Sequence, residues 1–156
     1  MKHFIFTLCT LFACIYMANA QVTISTSDLK GTKWQLDRDY DNNSKVFYEY
    51  TQEAKIRHYD DGSTYAYPYY LSNTIPTKFD YTKVGRSTKG CYYIEIIPLT
   101  GEISCFTIKN FNKTRGEMIL KLEDKNYIES TNTYSFILIP SSKPRGSNSK
   151  PYESNW

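Results

Sequence analysis

The chain has 156 residues and carries 19 Lys+Arg against 16 Asp+Glu, a net charge of +3. That length leaves room for one domain behind a targeting segment, and the charge is too mild to argue for nucleic acid, the more so because no Lys/Arg cluster adjoins the aromatic residues. Its 15 Tyr and 8 Phe, together with abundant Thr, Ile and Val, favour strands over helices.

At the N-terminus, Lys2 is a short basic start, Phe4 to Met17 is apolar, and Ala18-Asn19-Ala20 has the small-x-small form of a cleavage site. Residues 1–20 therefore read as a secretory signal peptide cut after Ala20, which predicts export to the periplasm or the cell exterior. The alternative is a lipid anchor at Cys14, because Leu11-Phe12-Ala13-Cys14 loosely matches a bacterial lipoprotein box. No later segment is long and apolar enough to span a bilayer as a helix. Cleavage would remove His3, Cys9 and Cys14, leaving His58, Cys91 and Cys105 as the His and Cys of the mature chain.

Residues 21–27 form a polar lead-in, and residues 28–140 read as the domain. Ser27 to Gly31 predicts a single helical turn, capped by Ser27 and stopped by Gly31. Thr32 to Tyr40 reads as a first strand with Trp34 and Leu36 on one face. After a turn at Asp41 to Ser44, Val46 to Tyr50 is a second strand, with Val46, Tyr48 and Tyr50 on one side. Ala54 to Tyr59 is a third short strand or the far half of a bent one. Asp60-Asp61-Gly62-Ser63 is a hairpin turn, since Asp-Gly supplies the positive φ that tight turns need.

Tyr65, Tyr67, Tyr69 and Leu71 alternate along the next strand. Pro68 cannot donate a ladder hydrogen bond and so predicts an edge, a bulge or a bend. Ser72 to Gly90 reads as an ordered loop pinned by Phe79, Tyr81 and Val84. Cys91 to Pro98 and Ile103 to Asn110 make the clearest hairpin. Glu117 to Leu122 alternates, with Met118, Leu120 and Leu122 inward. Tyr134 to Pro140 is a continuous apolar run, suited to a strand covered on both faces. Residues 141–156 are rich in Ser, Pro, Gly and Asn and read as a disordered tail. Strands at roughly ten-residue spacing joined by short turns predict an all-β, antiparallel up-and-down meander, either a barrel or a β-sandwich.

Two stretches carry a family resemblance. Leu29-Lys30-Gly31-Thr32-Lys33-Trp34 resembles the Leu-x-Gly-x-Trp opening of lipocalin-like proteins, with two residues rather than one between Gly and Trp. Tyr69-Tyr70-Leu71-Ser72-Asn73, followed by Pro76, Phe79, Val84-Gly85 and Gly90, is similar to a pattern in small secreted bacterial lipocalin-like proteins. Over residues 28–140 the resemblance implies a lipocalin-like β-barrel, without implying a particular ligand.

The residues that could carry chemistry are few. A triad or a Cys-His dyad would have to use His58, which reads instead as a surface or edge-strand residue beside a turn. One His and two Cys cannot assemble a Cys/His zinc site alone. No pair of carboxylates has a spacing that argues for acid–base work, so no enzymatic activity and no cofactor are expected. Asp60 to Ser63 lacks the further carboxylates of a calcium loop. Glu95 lies within Tyr92-Tyr93-Ile94-Glu95-Ile96-Ile97; it would hold a polar ligand group if Tyr93, Glu95 and Ile97 face a cavity, and otherwise marks a solvent face.

Tyr48, Tyr67 and Tyr69, with Glu95, are the candidate ligand-binding residues, because Tyr offers a flat apolar face with a polar tip. In an oxidising compartment Cys91 and Cys105 could form a disulfide. A turn centred near Thr100 puts Cys91 opposite about Lys109, however, so the bond would need a register shift or a bulge. Asn42 and Asn112 head glycosylation sequons, relevant only in a host that uses them. The expected function is passive binding of a small apolar or amphipathic ligand in the barrel. The alternative is a filled barrel acting on a protein partner or cell surface.

Overall fold

A computed structural model describes residues 21–42, 44–123 and 132–140. The expected signal peptide, the Cys14 anchor and the tail lie outside these residues. Ten strands are present: β1 (Ile24–Ser25), β2 (Lys33–Leu36), β3 (Phe47–Tyr50), β4 (Ala54–His58), β5 (Thr64–Ser72), β6 (Lys89–Gly90), β7 (Tyr92–Ile96), β8 (Ile103–Asn112), β9 (Glu117–Leu122) and β10 (Thr133–Ile139). Two short helices, α1 (Thr26–Leu29) and α2 (Asp37–Asp41), and a 3-10 turn at Tyr81–Lys83 complete the described elements. Eight of the strands close a barrel in the order β10-β2-β3-β4-β5-β7-β8-β9. Every neighbouring pair is antiparallel, so the chain runs up and down without a crossover, in a barrel of lipocalin-like form rather than a sandwich. No described helix is long and apolar enough to cross a membrane.

The base of the barrel is built from the N-terminal residues. Ser25 caps α1, its hydroxyl and N–H both donating to the Asp28 carboxylate, which keeps the Asp28 pKa below the ordinary value. The cap is thus two residues earlier than Ser27. The lead-in is not free of structure: Ile24 is buried, and β1 pairs with β6 as a two-stranded sheet outside the barrel. Buried Thr26 ties this corner to the long connection, donating its N–H to the Thr88 carbonyl while its hydroxyl accepts from the Thr88 N–H. Gly31 has φ +74° and donates its N–H to Tyr50, turning the chain from α1 into β2.

Trp34 then enters the interior fully buried, stopping the base. Its indole N–H donates to the Thr32 hydroxyl at 2.7 Å, and that hydroxyl donates to the Leu29 carbonyl. A β-bulge between Ile108 and Asn110 turns Phe111 inward, where its ring meets Trp34 at 5.8 Å.

Four expectations change. The first strand ends at Leu36, because Asp37 to Asp41 coil into α2. Pro68 is not on an edge, for the described strands close the sheet; it sits where β5 leaves its pairing with β4, through Ala54, and takes up β7 at Tyr69, so its missing N–H interrupts neither ladder. Tyr81 is 65% exposed rather than an anchor, whereas Phe79 is buried and Val84 packs beside it. The last strand is covered on one face only: Phe136 points inward and buried, and Ile137 and Ile139 remain half-buried outside.

Outside β5, β7 and β8, a second apolar cluster joins Tyr70, Phe79, Ile94, Ile96 and Cys105. The 73–88 connection is therefore a flap held on the barrel's outer wall. Gly90 makes its return possible, since a Cβ there would lie 2.1 Å from the Ser72 carbonyl oxygen.

Two outcomes are expected. Gly90→Ala should cost at least about 3 kcal/mol in urea unfolding, as a backbone clash cannot be relieved by a rotamer change. Thr32→Val should cost about 1–3 kcal/mol by strand-preserving loss of the Trp34 acceptor, read as a lowered thermal midpoint.

Candidate functional site

The barrel interior has two halves. Toward the base it is packed by Trp34, Tyr50, Tyr69, Leu71, Ile108 and Met118, all at most 2% exposed. Toward the mouth it opens into a cavity of about 330 Å³. Aromatic walls come from Tyr48 on β3, Tyr67 on β5, Tyr93 on β7, Phe106 on β8 and Tyr134 and Phe136 on β10. Leu36, Ile97, Leu120 and Leu122 add aliphatic surface. The polar lining is Lys55, Arg57, Glu95 and Ser104, with Arg38 of α2 at the mouth.

Tyr48, Tyr67 and Glu95 thus converge on one space. Tyr69 belongs to the packed half: it stacks on Tyr93 at 5.2 Å, and Tyr50 meets both rings edge-on. Its hydroxyl donates to the Thr51 carbonyl, so it is held away from the cavity. Burial raises the pKa of Tyr69, Tyr50 and Tyr93, the last two strongly, and the Glu95 carboxylate adds to the rise at Tyr50 and Tyr93. Tyr67 is pushed up to about 12, mainly by desolvation. These phenols are neutral hydrogen-bonding groups across the physiological pH range.

Glu95 points inward, not to solvent, and only 6% of it is exposed. The Lys55 ammonium lies 2.5 Å from its Oε2. That contact is one of charge, without the alignment of a good hydrogen bond, because Oε2 has no hydrogen-bond partner of proper geometry. The same ammonium sits over the rings of Tyr67 at 4.9 Å and Tyr48 at 5.2 Å. An aromatic cage and a carboxylate together hold a cation that would otherwise be costly to bury.

Lys55 and Arg57 are the site residues that the sequence reading passed over. Alternation on β4 would ordinarily send Lys55 and Arg57 to solvent and Ile56 to the core. The pairing reverses this: Lys55 lies opposite Tyr67 and Arg57 opposite Tyr65, so they share the inward face of the tyrosines. The signal was available in the Asp61-Gly62 turn, which fixes that register once the tyrosines are taken as inward. His58 faces outward instead, its ring stacked on Phe47 at 4.2 Å and its Nε2 3.2 Å from the Glu49 carboxylate.

No disulfide joins Cys91 to Cys105. The β7–β8 register places Cys105 opposite Ile94, while the Cys91 carbonyl accepts from Ile108, one position from the expected Lys109. The thiols are thus several residues apart along the ladder, and the Cys91 thiol donates to the Gln21 side chain at 3.1 Å.

No family model, no curated protein and no solved structure matches this chain. What the site itself defines is a half-filled β-barrel with an aromatic cavity and a buried ion pair.

Breaking that pair from one side should be worse than removing it. Lys55→Met or Glu95→Leu alone should each cost about 3 kcal/mol or more, while the double variant should return to within about 1 kcal/mol of the parent. A double-mutant cycle by urea denaturation checks this.

Proposed function

We propose that this chain is an exported, lipocalin-like, non-catalytic protein that binds one small apolar or amphipathic molecule inside its barrel. The observation that carries the reading is the division of the interior. A barrel built only as a scaffold would be filled along its length, whereas here packing stops above Tyr93 and leaves about 330 Å³ lined largely by aromatic and aliphatic side chains. That volume lies at the lower end of what small-ligand sites use. The up-and-down closure of eight strands and the tryptophan at the base support the lipocalin-like assignment. The basic start, apolar run and Ala18-Asn19-Ala20 of the sequence support export.

Binding in this scheme is passive. The base is closely packed, so the cavity exists before the ligand arrives and little ordering cost attends capture. Tyr48, Phe106, Tyr134 and Phe136 supply the apolar contact. The polar groups of the lining, Glu95 and the Tyr67 hydroxyl among them, orient any polar end.

The test is fluorescence titration with N-phenylnaphthylamine, an uncharged aromatic probe. Saturable binding at one site is expected, weakened at least about tenfold by Leu122→Trp, which puts a large ring into the space at the mouth. Absence of saturable binding, or indifference to Leu122→Trp in a variant with unchanged circular dichroism, would remove the ligand-binding reading and leave a barrel that acts through its surface.

A further inference from the structure

We propose that the cavity selects an aromatic oxyanion, a planar ring system bearing a carboxylate or phosphate, and that Arg57 receives its charge. This rests on the ligand-binding reading above and adds the ligand's chemical class.

The inference comes from charge accounting within the lining. Three cations border the cavity: Arg38, Lys55 and Arg57. Lys55 is neutralised by Glu95, and Arg38 at the mouth lies 3.9 Å from Asp39. The Arg57 side chain has no carboxylate within ion-pair distance and no hydrogen-bond acceptor among the described residues. Its Nε is buried without a partner. The guanidinium lies over rings instead, 4.6 Å from the Tyr59 centroid and 5.6 Å from that of Tyr48.

A cation–π contact of this kind holds an Arg without consuming its donors. It leaves the planar fork to meet an acceptor, and the fork matches the two oxygens of a carboxylate or phosphate. A neutral ligand would leave the donors unanswered. A cationic one would be repelled by Arg57, and Glu95 is already engaged with Lys55. The body of the ligand follows from the walls, since Tyr48, Phe106, Tyr134 and Phe136 line the same space as two edge-on pairs, Tyr48 with Phe136 and Phe106 with Tyr134. Flat aromatic surface packs there with the offset and edge-on geometries that such rings prefer.

The experiment uses bound N-phenylnaphthylamine as reporter and three competitors of nearly one shape: naphthalene carboxylate, naphthyl phosphate and the uncharged naphthalene carboxamide. At least one of the two anions is expected to displace the probe at a concentration about tenfold or more below that of the amide, the size of a charge-assisted hydrogen-bonded contact. The better anion tells carboxylate from phosphate. Arg57→Gln should erase the preference, with circular dichroism unchanged from the parent showing that the barrel still folds. Arg57→Lys should retain part of the preference, as charge persists without the fork. Equal displacement by anions and amide, or a preference that survives Arg57→Gln, would overturn the assignment of the anion to Arg57. Failure of the neutral probe to bind the parent protein would instead overturn the ligand-binding reading beneath it.

Discussion

Closure of the sheet at Trp34 is the constraint on which the rest of this structure depends. Trp34 pairs with Leu138 of the last strand on one side and with Tyr48 of the third on the other, so a single residue sits on the seam of the barrel. β2 is only four residues long. Its hold therefore relies on what its side chains bury, and the indole is the largest of them. An indole N–H cannot be buried there without an acceptor, and Thr32 supplies it two residues upstream. The same hydroxyl anchors to Leu29 in α1, linking the helical turn at the base to the first barrel strand.

Everything above that seam follows from how far the packing reaches. Tyr50, Tyr69 and Tyr93 form a mutually packed layer over the base, with edge-on and stacked rings that no smaller side chain could replace without leaving voids. The next layer contains Lys55 and Glu95, and there close packing ends. A buried ion pair needs geometry and solvation of its own, so rings surround it rather than fill the space around it. The cavity is thus a consequence of placing charge inside a small barrel, and the aromatic walls are what make that charge tolerable. Arg57 lies one step nearer the mouth, over the rings of Tyr59 and Tyr48 and, among the described residues, with no carboxylate beside it.

The outer wall shows a complementary arrangement. The 73–88 connection would be a long loop on a small domain, yet Phe79 and Val84 pin it to Tyr70, Ile94 and Ile96. Tyr70 is buried on the outside, next to Tyr69, which is buried on the inside. Both faces of β5 are therefore covered in its second half, and this explains why the Tyr-Tyr-Leu-Ser stretch lacks the polar alternation of the strand's beginning.

Much of the fold is legible in the sequence. The strands were marked by alternation, the turns by Asp61-Gly62 and the stretch near Thr100, and the up-and-down order by short connections, because each of these is a local property of backbone and side chain. Tyr48, Tyr67 and Glu95 were recognisable as candidates from residue type alone. Local pattern could not show that Tyr69 belongs to the packed layer, that Pro68 sits at a change of partner strand, or that Lys55 and Arg57 point inward. Each of those depends on which residue lies across the ladder, and a shift of one position exchanges the two faces of a strand. The sequence by itself determined an all-β meander and a short supply of reactive groups. Only the tertiary structure decided that the interior is half full, because that rests on the sum of side-chain volumes and charges brought together from strands far apart in the chain.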